Sequence, residues 1–390
     1  MMRLNLFAYG FRSSFLLAGI AAMLLMPLWA LSFVTGTPLG SSWPPMLWHA
    51  HEMLFGFIAS AMAGFLLTAV PSWTGQKGSA GRPLVIFASI WLAARMLIAS
   101  SALWSAVLVA AVDLAFLPAL VVLVAPPLLR SRSRNTPLLV VLGLFWLTNL
   151  TFHVGLLRHN PPLALHALHV GIDIVLVLVT VIGGRIIPSF TRSALRPLGL
   201  PDAVHNSPVV TGLAIAAMVS VTLSDVFWPE SRVAGVIAAV AACIQAVRLL
   251  QWETWRTLRQ PIVWVLHLSY AWLPVGLALK AIALLSGTAI AAFWLHALTI
   301  GALTTMILGV MTRASLGHTG RPLIVDPLIT LAYLLLTAAA VVRVFGLSAL
   351  GLNYPVVIIW SALFWTIAFA LFVVLYAPIL CGPRADGKAG

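Results

Sequence analysis

Charged side chains are scarce in this chain: 8% of its 390 residues are Asp, Glu, Lys or Arg, and only 9 are acidic. With 62% of residues hydrophobic, there is too little polar surface to cover a water-soluble fold, and that class is excluded. Cysteine is nearly absent. Cys243 and Cys381 stand far apart, with no CxxC pair, no CxxCH attachment motif and no thiolate cluster, so a metal here must be held by His, Met or oxygen. No small-residue cleavage site follows the first apolar segment, which is therefore read as a permanent span and not as a removable signal peptide.

What the chain does have is apolar length. Taking a spanning helix as roughly 20 apolar residues, we expect about twelve transmembrane helices, near 14–34, 48–72, 83–102, 104–125, 137–157, 163–187, 208–228, 232–250, 262–285, 290–312, 323–345 and 356–380. The fold class is an all-α integral membrane protein, a single polytopic domain over residues 1–390. The basic residues sort by side. With the N-terminus inside, Arg3, Arg12, Lys77, Arg82, Arg130, Arg132, Arg134, Arg192, Arg196, Arg248, Arg256, Arg259, Arg313, Arg321, Arg384 and Lys388 fall in cytoplasmic segments, and the opposite loops hold Arg158 and Arg232. This positive-inside asymmetry puts both termini in the cytoplasm. The net charge of +13 is then a topology signal: membrane lipid is the expected partner, and nucleic acid is not.

The segment Trp48-His49-Ala50-His51-Glu52-Met53 sets metal-capable and proton-capable side chains at the mouth of a span, where ionisable groups are costly to bury and point to function. It also recurs. His51, Gly56, Gly64, Thr74-Gly75 and Arg82-Pro83 correspond to His296, Gly301, Gly309, Thr319-Gly320 and Arg321-Pro322, with identical spacing from His to Thr-Gly and an insertion, Gln76 to Gly81, before the first Arg-Pro. In a weaker middle copy, His166-Ala167-Leu168-His169-Val170-Gly171 resembles the stretch from His296 to Gly301, and Pro188-Ser189-Phe190-Thr191 resembles Pro71-Ser72-Trp73-Thr74. These two anchors differ in register, so His166 matches either His49 or His51. The copies fall on spans two, six and ten. They predict three pseudo-symmetric four-helix units, about 1–130, 131–255 and 256–390, around an axis along the membrane normal. The repeated glycines read as sites of close helix approach.

A single histidine near a helix end is ordinarily satisfied by water or backbone. Here His51, His166, His169 and His296 recur at one depth on related helices, which points to a shared metal or haem site. His166 and His169 share a helix face and can ligate one centre. His49 and His51 are about 200° apart on a regular helix and cannot both face one place; His49 does share a face with the thioether of Met53. His153 and His267, on spans five and nine, are further candidate ligands. His159 and His205 read as solvated loop residues, and His318 as a structural residue of the Thr-Gly-Arg-Pro loop. Arg95, Lys280 and Arg343 near the outer ends of their spans either snorkel to headgroups or pair with anionic groups of a cofactor. Asp113 and Asp173 are mid-span. Asp173, one turn after His169, is placed to orient that imidazole as an outer acceptor. Glu52 can bind metal, relay protons or accept from a neighbouring His, and Tyr270 shares a face with His267 as a hydrogen-bond or proton donor.

Several long motifs in one order carry a family resemblance: the stretch from Trp48 to Phe57, Ala63-Gly64-Phe65 through Pro71-Ser72-Trp73-Thr74-Gly75, Ile182-Gly183-Gly184-Arg185-Ile186-Ile187-Pro188-Ser189-Phe190-Thr191, and Met311-Thr312-Arg313 through Gly320-Arg321-Pro322. Arg12-Ser13-Ser14-Phe15-Leu16 and His267-Leu268-Ser269-Tyr270-Ala271-Trp272-Leu273-Pro274 fit as well, with Ser13-Ser14 standing where the family tends to carry Pro-Phe. Over nearly its whole length the chain resembles the NnrS family. The resemblance implies a bacterial inner-membrane protein containing haem and copper, produced in response to nitric oxide and linked to denitrification and to protection against nitrosative stress. The twelve-span layout is also similar to that of haem-copper oxidases and nitric oxide reductases. That analogy implies His51 and His296 as axial ligands of a b-type haem, and His166 and His169 on a second metal, with His267 as a further ligand; from their positions alone, Arg95, Lys280 and Arg343 would suit haem propionates and His49 is a further candidate metal ligand. The leading expectation is intramembrane handling of nitric oxide, by reduction if the chain is an enzyme, with quinol or another protein as electron donor. The alternatives are a non-enzymatic haem or metal sensor, carrier or homeostasis protein, and a secondary transporter. The outer depth of the histidines argues against the transporter.

Overall fold

In a computed structural model the described residues are 5–37, 39–196, 204–288 and 293–388. Among them there is no strand, and twelve helices are long and apolar enough to cross a membrane: α1 Gly10–Thr35, α2 Pro45–Thr74, α3 Arg82–Ala99, α4 Ala106–Arg130, α5 Leu138–Leu157, α6 Pro161–Leu195, α7 Pro208–Phe227, α8 Arg232–Leu250, α9 Pro261–Ser286, α10 Trp294–His318, α11 Pro327–Phe345 and α12 Tyr354–Cys381. The protein is a multi-pass, all-α membrane protein. Each expected span has its helix. Arg3 and the first residues expected of span ten lie outside the described residues. The chain divides into two compact units, one of residues 1–171, 311–323 and 369–390, the other of residues 172–310 and 324–368.

Local chemistry sets the helix ends. Pro45, Pro208, Pro261 and Pro327 open their helices, where a missing N–H costs nothing. The side chains of Ser207, Ser231 and Asp326 accept from the first-turn amides of Val210, Ala234 and Leu328. Gly36 and Gly287 close α1 and α9 in the left-handed conformation, at φ 72° and 66°. α10 runs further than expected. His318 belongs to the helix and not to the loop, because Thr319 bonds back to the Ser315 carbonyl at 2.6 Å and the chain turns only at Gly320, φ 70°.

Helices α2 and α10, carrying the first and third copies of the repeat, share a backbone irregularity. Each contains a π-helical segment, Glu52–Ile58 in α2 and Ala297–Thr304 in α10, and each segment begins one residue after the matching histidine, His51 or His296. α6, which carries the middle copy, is α-helical throughout. π turns cluster at functional sites because they re-aim side chains at the expense of regular hydrogen bonding. The repeated glycines behave as close-approach positions: a Cβ on Gly64 would lie 2.6 Å from the Phe15 ring, and Gly301 faces the Trp272 indole in the same way.

In the first unit the start of α1 is tied to the end of α12. Arg12 is fully buried and donates from Nη1 to the carbonyls of Leu380 at 2.9 Å and Gly382 at 2.7 Å. Arg12→Met leaves those carbonyls without their charged donor, and is expected to cost about 2–3 kcal/mol. The measurement is the thermal-unfolding midpoint of the detergent-solubilised protein, which should fall.

Candidate metal centre

The first unit gathers six of its buried polar side chains at one point. α2 runs as an α-helix from Pro45 to His51 and widens into its π segment at Glu52, so two polar side chains enter the interior side by side. α3 contributes Arg95, α4 Asp113, and α5 both Asn149 and His153, which lie four residues apart and so share a face. All six are buried. Gly56 makes the room: a Cβ there would lie 2.9 Å from Arg95 Nη1 and 3.4 Å from Glu52 Oε2. The Trp91 indole donates to the Gly56 carbonyl at 2.9 Å, holding the π segment against α3.

The contacts close into a ring. Glu52 Oε1 accepts from Arg95 Nη1 at 2.6 Å, and Arg95 Nη2 pairs with Asp113 Oδ1. Asp113 Oδ2 receives the Asn149 amide at 2.8 Å and faces His153 Nε2 at 3.1 Å and His51 Nε2 at 3.2 Å. His51 Nδ1 returns to Glu52 Oε1 at 3.2 Å, and its Nε2 lies 3.1 Å from Asn149 Oδ1. Aromatic rings wall the cluster. Phe152, Phe55 and Trp43 lie 4.6, 5.0 and 5.1 Å from the His51 ring, centre to centre, and Trp43 also meets His153 at 5.6 Å.

One ligand atom from each of His51, Asp113 and His153 lies within 4.8 Å of the others, which makes this the metal-competent His/Cys/Asp/Glu group among the described residues. Two ligands bound at about 2.0–2.1 Å to one tetrahedral ion stand about 3.4 Å apart. The separations of 3.1 and 3.2 Å at Asp113 Oδ2 need little adjustment. With neutral imidazoles the buried set carries two carboxylates against one guanidinium. The uncompensated negative charge favours a cation, and two imidazoles with one carboxylate suit a transition-metal ion such as zinc, iron or copper. His51 Nε2 already faces Asn149 Oδ1 at 3.1 Å and Asp113 Oδ2 at 3.2 Å, so the residues at His51 do not fit the axial haem ligation that the analogy implied.

The other sequence candidates go elsewhere. His49 is half-buried and stacks on Trp29 at 4.0 Å, and His166 and His169 are half-buried on α6. His267 is buried, with Nε2 2.8 Å from the Thr191 hydroxyl and Nδ1 3.0 Å from that of Thr254, so hydroxyls occupy both nitrogens that a metal would need. Tyr270 accepts from Arg248 at 3.1 Å and donates to Gln245 at 2.5 Å, and so does not act on His267. Asp173 stands beside Asp225 and Lys280. Arg95 and Lys280 neither snorkel nor wait for propionates: both are buried against protein carboxylates, Lys280 against Asp225. Arg343 differs. Its guanidinium lies 5.1 Å from the rings of Phe293 and Tyr354 and donates to the Tyr354 hydroxyl at 3.0 Å, while its Nη1 is buried with no hydrogen-bond partner. Phe293 in turn packs on half-buried His296, ring centres 6.4 Å apart.

Sequence reasoning identified His51, Glu52, Arg95 and His153 as candidates but did not join them, and gave Asn149 no role. The available signal was the pile-up of mid-span polar residues on spans three to five, each needing a partner. Residues 5–384 match the sequence profile of the family described as NnrS protein. Among curated proteins, no relative matches the chain.

Proposed function

The chain belongs to the NnrS family, and on that premise we propose that it is a haem- and copper-binding inner-membrane protein of the nitric oxide response, holding one metal ion at His51, Asp113 and His153. The observation that supports this reading most directly is the convergence of those three ligand atoms within a buried, net-anionic cluster. Nitric oxide is small, uncharged and lipid-soluble, and reaches such a centre without a polar channel. His51 and His153 would hold the ion, and Asp113 Oδ2 would supply its anionic ligand. Arg95 fixes Asp113 through the other oxygen, Oδ1, and Trp43 and Phe152 keep water out.

For haem, the donor set that fits is His296 with Arg343, whose buried, unpartnered Nη1 is available to a propionate. When bound, haem and copper supply nitric oxide binding and one-electron exchange. Reduction of nitric oxide would draw its electrons from quinol or a partner protein. The excess of Lys and Arg on one side supports cytoplasmic termini. The three related four-helix units belong to the same proposal, supported by the matched π segments of α2 and α10.

The test is one preparation: iron and copper content, the optical spectrum with and without nitric oxide, then N2O release under a reductant. A colourless, metal-free protein overturns the proposal. A nitrosyl spectrum without N2O leaves a binding or protective role in place of reduction. His153→Gln, which can still bond to Asp113, is expected to weaken metal retention more than tenfold while the protein stays folded. For the haem assignment, Arg343→Ala should lower haem absorbance per protein, and unchanged retention would remove Arg343 from the site.

A further inference from the structure

In the second unit, three helices bring Asp173 of α6, Asp225 of α7 and Lys280 of α9 together. Lys280 is 2% exposed, and its Nζ binds Asp225 Oδ2 while lying 4.8 Å from the Trp294 ring centre. Asp173 is 3% exposed. Lys280 and Asp225 are the charged groups beside it. Its Oδ2 is buried with no partner.

Charge leads from this geometry to a ligand: two buried carboxylates and one ammonium leave a net negative charge that an apolar interior disfavours. Lys280 offsets one of the two carboxylates, through its contact with Asp225 and the Trp294 face. A hard divalent cation takes six or more oxygen ligands, more than these two side chains offer. A proton needs no added volume.

We propose that Asp173 and Asp225 form a proton-binding site inside the membrane-spanning region, sharing one exchangeable proton while Lys280 balances the remaining charge. Asp225 holds the ammonium, so Asp173 is the donor of the pair. The site does not depend on the metal centre, and it supplies an intramembrane acid in a protein otherwise poor in acidic residues.

The experiment is infrared spectroscopy of the full chain in lipid nanodiscs at neutral pH, read at the carbonyl stretch of a protonated carboxyl, in H2O and D2O. The expected wild-type spectrum has one such band, shifted by D2O. Asp173→Asn removes it. Asp225→Asn removes it too, because Asp173 must then ionise to balance Lys280. Lys280→Met strengthens it, because the unbalanced pair takes up a second proton. If Asp173→Asn does not fold, Asp225→Asn decides alone. No band, or a band that survives the aspartate substitutions, overturns the site. So does a band that is absent in sodium buffer and appears when choline replaces sodium, since a cation would then be the occupant.

Discussion

Asp113→Ala is expected to destabilise the protein by about 3–5 kcal/mol, the range measured when one partner of a buried ion pair is removed. Arg95, His51, His153 and Asn149 all meet at this carboxylate, and alanine strands a guanidinium inside the bilayer with Glu52 as its remaining counter-charge. The measurement is the yield of monodisperse protein together with its unfolding midpoint. Asp113→Asn keeps an oxygen acceptor and should fall between wild type and alanine. The triple variant Glu52→Gln, Arg95→Met and Asp113→Leu, which removes the cation together with both of its carboxylates, should recover much of the loss, since replacing a buried ion set by uncharged groups is often close to neutral. Equal damage in the single and triple variants would mean that the carboxylate acts through something other than these charges. Metal should be lost in all three, which separates ligation from folding.

The second large effect is at Gly184, inside the Ile182-Gly183-Gly184-Arg185 stretch. A methyl group there would fall on the guanidinium of Arg248. That side chain is fully buried, and its Nη1 donates to the Thr180 carbonyl at 2.8 Å and the Tyr270 hydroxyl at 3.1 Å. Displacing it combines overpacking, about 1–3 kcal/mol, with loss of hydrogen bonds from a buried cation, about 1.5–3 kcal/mol. Gly184→Ala is therefore expected to cost about 3–5 kcal/mol. A double-mutant cycle identifies the cause. In an Arg248→Met background the alanine should cost less than half as much, and an undiminished penalty would show that another neighbour occupies the space.

How much of this was legible in the sequence depends on the physics behind each feature. The spans were legible because apolar length is a one-dimensional property, and all twelve fell where hydropathy put them. The histidine-bearing repeat was legible because spacing is preserved along the chain. The partners were not. Nothing in the order of residues says that Arg95 meets Glu52 and Asp113, or that Lys280 meets Asp225, because those pairings follow from the rotation of each helix about its own axis. Arg95 and Lys280 therefore read as snorkelling or cofactor-binding residues until the carboxylates were seen beside them. His267 read as a ligand because a buried imidazole must be satisfied, and the sequence could not choose between a metal and the hydroxyls of Thr191 and Thr254. Asp173 read as serving His169, one turn away, but its charged neighbours, Asp225 and Lys280, stand on other helices.

The π segments of α2 and α10 give the identical His-to-Thr-Gly spacing a mechanical meaning. A π turn stores one surplus residue, and one residue of an α-helix corresponds to about 100° of rotation and about 1.5 Å of rise. Each of these helices therefore has two ends in fixed angular phase, the histidine end and the Thr-Gly end, with the surplus residue setting the offset. Deleting a residue from Glu52–Ile58 would leave α2 long enough to cross the membrane and just as apolar. It would also turn His51 away from Asp113 while Thr74-Gly75 stayed in place. Tolerance of such helices to insertion and deletion is thus governed by phase more than by length, and Glu52–Ile58 is the point where a one-residue change is felt at the His51 cluster.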